Sequence, residues 1–200
     1  MESYAVNLGD LDGDGDLDAF VATYNPQPDR IFFNDGSGVF SDSMQTLGTE
    51  YAVGAALGDI DNDGDLDAYV ANCHGSGNDK LWLNDGQGQF SDSGQTIDGL
   101  CSYEADFGDV DGDGDLDVVV ANGAAGGQPN QLYINDGHGT LSNSGQTLRS
   151  SPNTAIELRD IAAAGDLALF STTTDAGQHI RRPDPRRTLT TTLLVSGAAA

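Results

Sequence analysis

Basic side chains are scarce in this chain: 8 Lys and Arg stand against 32 Asp and Glu, a formal charge of −24. Binding nucleic acid requires Lys and Arg to displace counterions from phosphate, so a nucleic-acid partner is not expected. An anionic membrane surface is disfavoured on the same ground. No apolar run approaches the ~20 residues of a membrane span, so no membrane insertion is expected. The stretch ESYAVNLGD after Met1 has neither the basic nor the apolar region of a secretory signal. The histidines, His74, His138 and His179, fall in turns or in the C-terminal stretch, and neither they nor the two cysteines, Cys73 and Cys101, cluster with the chain's aspartate-rich stretches. Zn²⁺, which favours His and Cys, is therefore not the expected ion there. No nucleophile motif accompanies any histidine, so catalysis is not expected.

What the chain has instead is aspartate in phrases. GDLDGDGDLD (9–18), GDIDNDGDLD (58–67) and GDVDGDGDLD (108–117) recur at steps of 49 and 50 residues. Each is followed by a second phrase: NDGSGVFSDS (34–43), NDGQGQFSDS (84–93) and NDGHGTLSNS (135–144). Fifteen of the 32 acidic residues sit in the three Asp phrases, so the acidity is local and not a general surface property. Apolar runs such as LDAFVA, LDAYVA and LDVVVA alternate with the phrases, which argues against disorder.

A period near 50 residues signals a solenoid, propeller or array. Each unit reads as four short strands. One runs into the Asp loop, a second leaves it, and a third is DRIFFND, DKLWLND or NQLYIND. An Asn-Asp-Gly turn then reverses the chain into a fourth. That turn chemistry accounts for Asn34, Asp35, Asn84, Asp85, Asn135 and Asp136 as turn formers. Trp82, Phe33 and Tyr133 are aligned as core positions of the third strand. The expected fold is all-β, with propeller blades of four antiparallel strands in about three and a half repeats, a partial propeller or fragment. Repeat boundaries fall near 4–48, 49–98 and 99–148, with a degenerate unit at 153–170. Residues 171–200, holding Arg181, Arg182, Arg186 and Arg187, are expected to form a disordered tail.

Within each Asp phrase the spacing is D-x-D-x-D-G-x-x-D. Carboxylates at alternate positions of a tight loop suit a hard cation that takes six to eight oxygens at flexible angles, and Ca²⁺ is the expected ion at three sites. The first set is Asp10, Asp12, Asp14, Asp16 and Asp18. The second is Asp59, Asp61, Asp63, Asp65 and Asp67, and the third is Asp109, Asp111, Asp113, Asp115 and Asp117. Loop positions 1, 3 and 5 are expected to point inward, position 7 to offer its main-chain oxygen, and position 9 to close the site with both carboxylate oxygens. Leu17, Leu66 and Leu116 at position 8 are expected to pin each loop to a blade. The opening matches an EF-hand, but position 12 is Val21, Val70 or Val120 where that motif needs Glu, and the flanks read as strands. The fourth copy, RDIAAAGDLA (159–168), keeps only Asp160 and Asp166 and is expected to hold no Ca²⁺.

These residues carry a resemblance. The D-x-D-x-D-G-x-x-D loop and the later L-x-L-N-D-G-x-G-x-F phrase resemble the FG-GAP/VCBS repeat family, which includes the N-terminal propeller of integrin α-subunits. The likeness spans residues 4 to about 148 well and 155 to 170 poorly. It implies a β-propeller, usually of seven blades, with Ca²⁺ in loops on one face and non-catalytic roles in adhesion or ligand recognition. The implied partner is a protein or glycan, and the implied location is extracellular, at the cell surface or periplasmic, with an N-terminus that extends beyond Met1. The alternative is a fragment of a secreted propeller enzyme or lectin acting on carbohydrate. Too few units for a seven-bladed ring leave open blade edges available for self-association. In the blade reading Cys73 and Cys101 emerge on the face opposite the Asp loops, either bridged by a disulfide or as two free thiols.

Overall fold

The computed structural model describes residues 2–24, 27–73, 78–97, 100–123, 128–146, 148–150, 153–160, 167–173 and 190–191. Its elements are all strands. The first blade is β1 (Glu2–Gly9), β2 (Asp18–Tyr24), β3 (Arg30–Asn34) and β4 (Phe40–Asp42), paired antiparallel in chain order. The second repeats this with β5 (Ala52–Gly58), β6 (Asp67–Asn72), β7 (Lys80–Asn84) and β8 (Phe90–Asp92). The third has β9 (Ser102–Gly108), β10 (Asp117–Asn122), β11 (Pro129–Asn135) and β12 (Leu141–Asn143), and β13 (Leu148–Ser150) adds to the far end of β11. In the first two blades single bridges, Asp29 to Leu47 and Asp79 to Ile97, occupy the place of β13.

A fourth unit consists of β14 (Asn153–Asp160) paired with β15 (Leu167–Thr173). β16 (Thr190–Thr191) joins β15 in parallel, within the stretch expected to be a tail. Residues 161–166 of the degenerate loop, the four Arg of the C-terminal stretch, His74 and His179 lie outside the described residues.

The core lies between blades. The middle strand of each blade is buried on both faces, as the pattern over Asp67–Asn72 shows. Leu11, Phe20, Ile31 and Leu47 of the first blade meet Ala52, Val70, Trp82 and Phe90 of the second. Ile60, Tyr69, Leu81 and Ile97 meet Ala105, Val118, Val120 and Tyr133 at the next seam. Val110, Val119, Leu132 and Leu148 meet Ile156 and Leu158 at the third. β-branched and aromatic residues suit a sheet covered on both sides, because each fills a pleat against a neighbouring layer.

The register corrects one alignment. Trp82 pairs with Ala68 and Tyr133 with Val118, and their counterpart opposite Ala19 is Phe32, not Phe33. Phe33 turns to the other face, where it packs into the seam with the second blade. Side chains alternate along a strand, so a slip of one residue moves a ring to the opposite seam.

The seam between the second and third blades holds two further ties. Cys73 and Cys101 form a disulfide. Beside it, the buried Asp79 carboxylate accepts hydrogen bonds from the Asn72 N–H (2.8 Å), the Tyr69 hydroxyl (2.8 Å) and the Ser102 hydroxyl of the next blade (2.7 Å). Burial, against the opposing effect of these bonds, pushes the Asp79 carboxyl up to about 7.

The first blade shows what the seams cover. Phe90 is 9 % exposed against the first blade, whereas Phe40, its counterpart, is 46 % exposed. Tyr4, Val6 and Leu8 of β1, together with Leu17, share that open face. The first strands of successive blades lie side by side and converge on a concavity of about 460 Å³ lined by Asn7, Ala55, Glu104, Asp106 and Glu157. There Glu104 and Asp106 accept hydrogen bonds from the Ile156 and Leu158 N–H groups (3.2 and 2.6 Å), latching the fourth unit to the third blade.

Candidate metal centres

Each Asp phrase becomes the loop between a blade's first and second strands. Glycines let it curl: Gly15, Gly64 and Gly114 all sit at positive φ, 92°, 99° and 100°, where a side chain is strained. The first Asp then gathers the loop's own amides. Asp10 accepts from the Gly13 and Gly15 N–H groups (2.8 and 3.0 Å), and Asp109 from those of Gly112 and Gly114 (2.7 and 3.1 Å). Asp59 accepts from Asp63 and Gly64 (both 3.0 Å).

The ninth-position carboxylate is buried and serves as a staple. Asp18 accepts from the Leu11 and Asn34 N–H groups (2.9 and 2.8 Å), one on each oxygen. Asp67 does the same with Ile60 and Asn84 (3.0 and 2.8 Å), and Asp117 with Val110 and Asn135 (2.9 and 3.0 Å). Both oxygens are therefore tied to backbone amides, and each keeps a second lone pair with which it can accept further.

Three carboxylates converge in each of the three described Asp loops. Asp10, Asp12 and Asp18 each place an oxygen within 4.8 Å of the others, as do Asp59, Asp61 and Asp67, and Asp109, Asp111 and Asp117. Asp14, Asp63 and Asp113 lie outside these triads; each accepts instead from the N–H two residues on, at 2.9, 3.0 and 3.0 Å. The side chains of Asp16, Asp65 and Asp115 also lie outside. They press against Gly36, Gly86 and Gly137 of the Asn-Asp-Gly turns, where any side chain would collide with them.

The charge of a triad has no protein counter-ion in its own phrase, since no Lys or Arg occurs there. Burial, with neighbouring carboxylates adding, raises Asp12, Asp61 and Asp111 above the usual carboxylate range. Burial likewise pushes Asp67 up to about 7 and raises Asp117. In the second loop Asp61 Oδ1 is shut from solvent without a hydrogen-bond partner. An orphaned anionic oxygen beside two further carboxylates fits a cation, because desolvating such a group unpaired is costly. The donors are all oxygen, so the triads can hold a hard metal ion.

Asn84 and Asn135, read from the sequence as turn formers only, and Gln45 and Gln95, which that reading omits, also fix these loops. Asn84 donates from Nδ2 to Leu66 O of its own loop (3.2 Å) and to Leu11 O of the preceding one (2.9 Å). Asn135 reaches Ile60 O in the same way (2.7 Å). Gln45 donates to Gly88 O (2.6 Å) and accepts from Phe90 N–H (3.0 Å), and Gln95 repeats this with Gly139 and Leu141 (2.6 and 2.9 Å). The signal was present, for Gln45, Gln95 and Gln146 recur in SDSMQT, SDSGQT and SNSGQT. Position 8 also works across a seam: Leu66 packs over Gly9 of the first blade and Leu116 over Gly58 of the second. The turn aspartates are structural, as Asp35 shows by accepting from the Ser37 and Val39 N–H groups (2.9 and 3.3 Å). His138 sits in the third such turn, donating its N–H to Asp136 (3.0 Å).

A solved structure of similar fold is that of a lectin from Agrocybe aegerita, described for its specific recognition of non-reducing terminal N-acetylglucosamine. The TM-score is 0.54 at 19% sequence identity, over 84% of this chain and 46% of that one. This chain thus spans less than half of that lectin's length, and at such identity the likeness shows the fold alone. A search of curated protein sequences finds no match. The profile of the FG-GAP-like repeat matches residues 10–70, 59–120 and 109–168. Each matched stretch opens on the first Asp of a loop, and together they cover most of the chain: it belongs to the FG-GAP-like repeat family.

Proposed function

We propose that this chain is a calcium-binding, non-catalytic propeller segment that binds a protein or glycan ligand outside the cell, with Ca²⁺ holding its blade loops. The observation that carries the reading is the same carboxylate triad built at the same loop positions in three successive blades. Ca²⁺ suits it better than Mg²⁺, which keeps most of its waters and prefers few protein ligands. Bound there, the ion supplies positive charge and coordination, not a reaction. The residues of the chain supply the rest: position 1 shapes the loop, position 9 ties it to the third strand, and Asn84 and Asn135 tie it to the neighbouring blade.

The non-catalytic reading rests on repetition, because the recurring polar residues are accounted for by folding and cation binding. The extracellular reading is supported by the Cys73–Cys101 bridge, which suits an oxidising compartment. The open face of the first blade, with Leu8, Leu17 and Phe40, would take a further blade of the same kind, since equivalent residues of the second and third blades are covered that way. Glycan recognition is the second reading, favoured by the fold shared with a lectin. For the degenerate fourth loop we propose no cation, since Ala replaces three of its Asp.

Calorimetric titration of chelator-treated protein with Ca²⁺ tests the main reading. Three sites are expected, falling to two in Asp61→Asn, with Mg²⁺ binding much more weakly. Absence of Ca²⁺-dependent heat would refute it. Glycan-array binding at saturating Ca²⁺ would decide between glycan and protein as ligand.

A further inference from the structure

The three Asp loops are not joined alike. At position 4 the first and third hold Gly13 and Gly112, while the second holds Asn62. All three adopt positive φ, at 78°, 86° and 62°, so the left-handed turn is kept at this position, although in the second loop the Asp63 N–H and not that of Asn62 bonds the first Asp. Asn tolerates this region better than other non-glycine residues. The Asn62 carboxamide leaves its own loop. Its Nδ2 donates to Asp115 Oδ1 of the third loop (2.8 Å) and to Gly137 O in the third blade's turn (3.2 Å). In the opposite direction Asn135, two residues before Gly137, donates to Ile60 O of the second loop (2.7 Å). The second and third loops are laced both ways.

The junction of the first and second loops provides the contrast. Asn84 donates back to Leu11 O (2.9 Å), so the return lace is present. The forward lace is missing because Gly13 has no side chain, although a Cβ there would lie 3.2 Å from Gly86 O, the equivalent turn carbonyl. The geometry is repeated and the donor is not.

We propose that Asn62 couples the second and third Asp loops, so that ordering either one raises the cation affinity of the other; this rests on the calcium reading above. Residue 62 lies between Asp61 and Asp63, and its position is fixed when that loop is drawn in. Its amide then fixes Asp115, whose own N–H donates to Asp113 Oδ1 (3.0 Å) and which lies two residues before the triad member Asp117. A loop whose position 7 is already held loses less freedom on closing around a cation. Linkage makes the effect equal in both directions. The first loop, lacking the donor, titrates more independently.

The test needs site-resolved affinity. The Gly15, Gly64 and Gly114 amides each donate to the first Asp of their own loop, at 3.0, 3.0 and 3.1 Å, and report the three sites separately by ¹⁵N NMR during Ca²⁺ titration. In the unaltered chain, disabling the second loop with Asp61→Asn should raise the Gly114 midpoint by about three- to tenfold. Asn62→Gly, which installs the residue of the other two loops, should raise it by a similar factor, and adding Asp61→Asn should then have no further effect. That background also controls for the charge of the neighbouring site. Gly13→Asn should make the Gly64 midpoint newly sensitive to Asp12→Asn. A Gly114 midpoint indifferent to both Asn62→Gly and Asp61→Asn, with all three glycines titrating, would overturn the coupling alone. If no glycine responds to Ca²⁺, the calcium reading falls and the coupling with it.

Discussion

Asp79→Asn should make the protein more stable at neutral pH and leave it nearly unchanged at pH 4. Asp79 is 1 % exposed, and its neighbours Asn72, Tyr69 and Ser102 offer hydrogen bonds but no positive charge. Burial therefore raises its carboxyl from 3.8 to about 7. The folded state holds this proton more tightly than the unfolded chain does. Its contribution to stability is thus complete below about pH 4 and is lost as pH rises to about 7. At 1.36 kcal/mol per pH unit the interval amounts to at most about 4 kcal/mol. Asn removes the titration while keeping the acceptor for the Asn72 N–H, and the Tyr69 and Ser102 hydroxyls can rotate to accept from its amide. The third blade already uses this solution: Asn130 Oδ1 accepts from the Asn122 N–H (3.1 Å). Urea unfolding of both proteins at pH 4, 6 and 8, at saturating Ca²⁺ and with the disulfide intact, measures the difference. A difference that does not grow with pH, or a variant less stable at pH 8, would refute the reasoning.

Three further outcomes follow from the seams. Replacing Cys73 and Cys101 by Ser should cost about 3–4 kcal/mol, since the bridge closes a loop with a sequence separation of 28; urea unfolding against the oxidised protein checks this. Gln95→Ala should cost about 1–2 kcal/mol by removing both the donor to Gly139 O and the acceptor of the Leu141 N–H, read as a lowered unfolding midpoint with unchanged Ca²⁺ stoichiometry. Leu17→Asp with Phe40→Ser should reduce concentration-dependent association in sedimentation velocity while leaving Tm nearly unchanged, because both side chains lie on the open face of the first blade.

Much of this architecture is legible in the sequence because it is written three times. The Asp phrases mark the hairpins between first and second strands, the Asn-Asp-Gly turns mark those between third and fourth, and the period sets the blade. What the repeat does not reveal is which partner each side chain meets. Asp14 and Asp18 look equivalent in the pattern, yet Asp18 is drawn inward by the Asn34 N–H, a donor brought from the third strand, while Asp14 stays with its own loop. Gln95 recurs visibly, but its purpose exists only once two blades are packed. The adjacent rings of Phe32 and Phe33 differ by one position, and that position decides which seam a ring enters. Asp79 reads as the polar start of a strand, and its burial follows from Tyr69 and Ser102 closing over it.

Thermal melting in Ca²⁺ and in excess chelator tests most directly the proposal that a divalent cation holds the three loops. An ion at a hundred times its Kd contributes about 2.7 kcal/mol per site, so three sites predict a rise in Tm of many degrees with Ca²⁺ that chelator abolishes. Superimposable melting curves would contradict the claim.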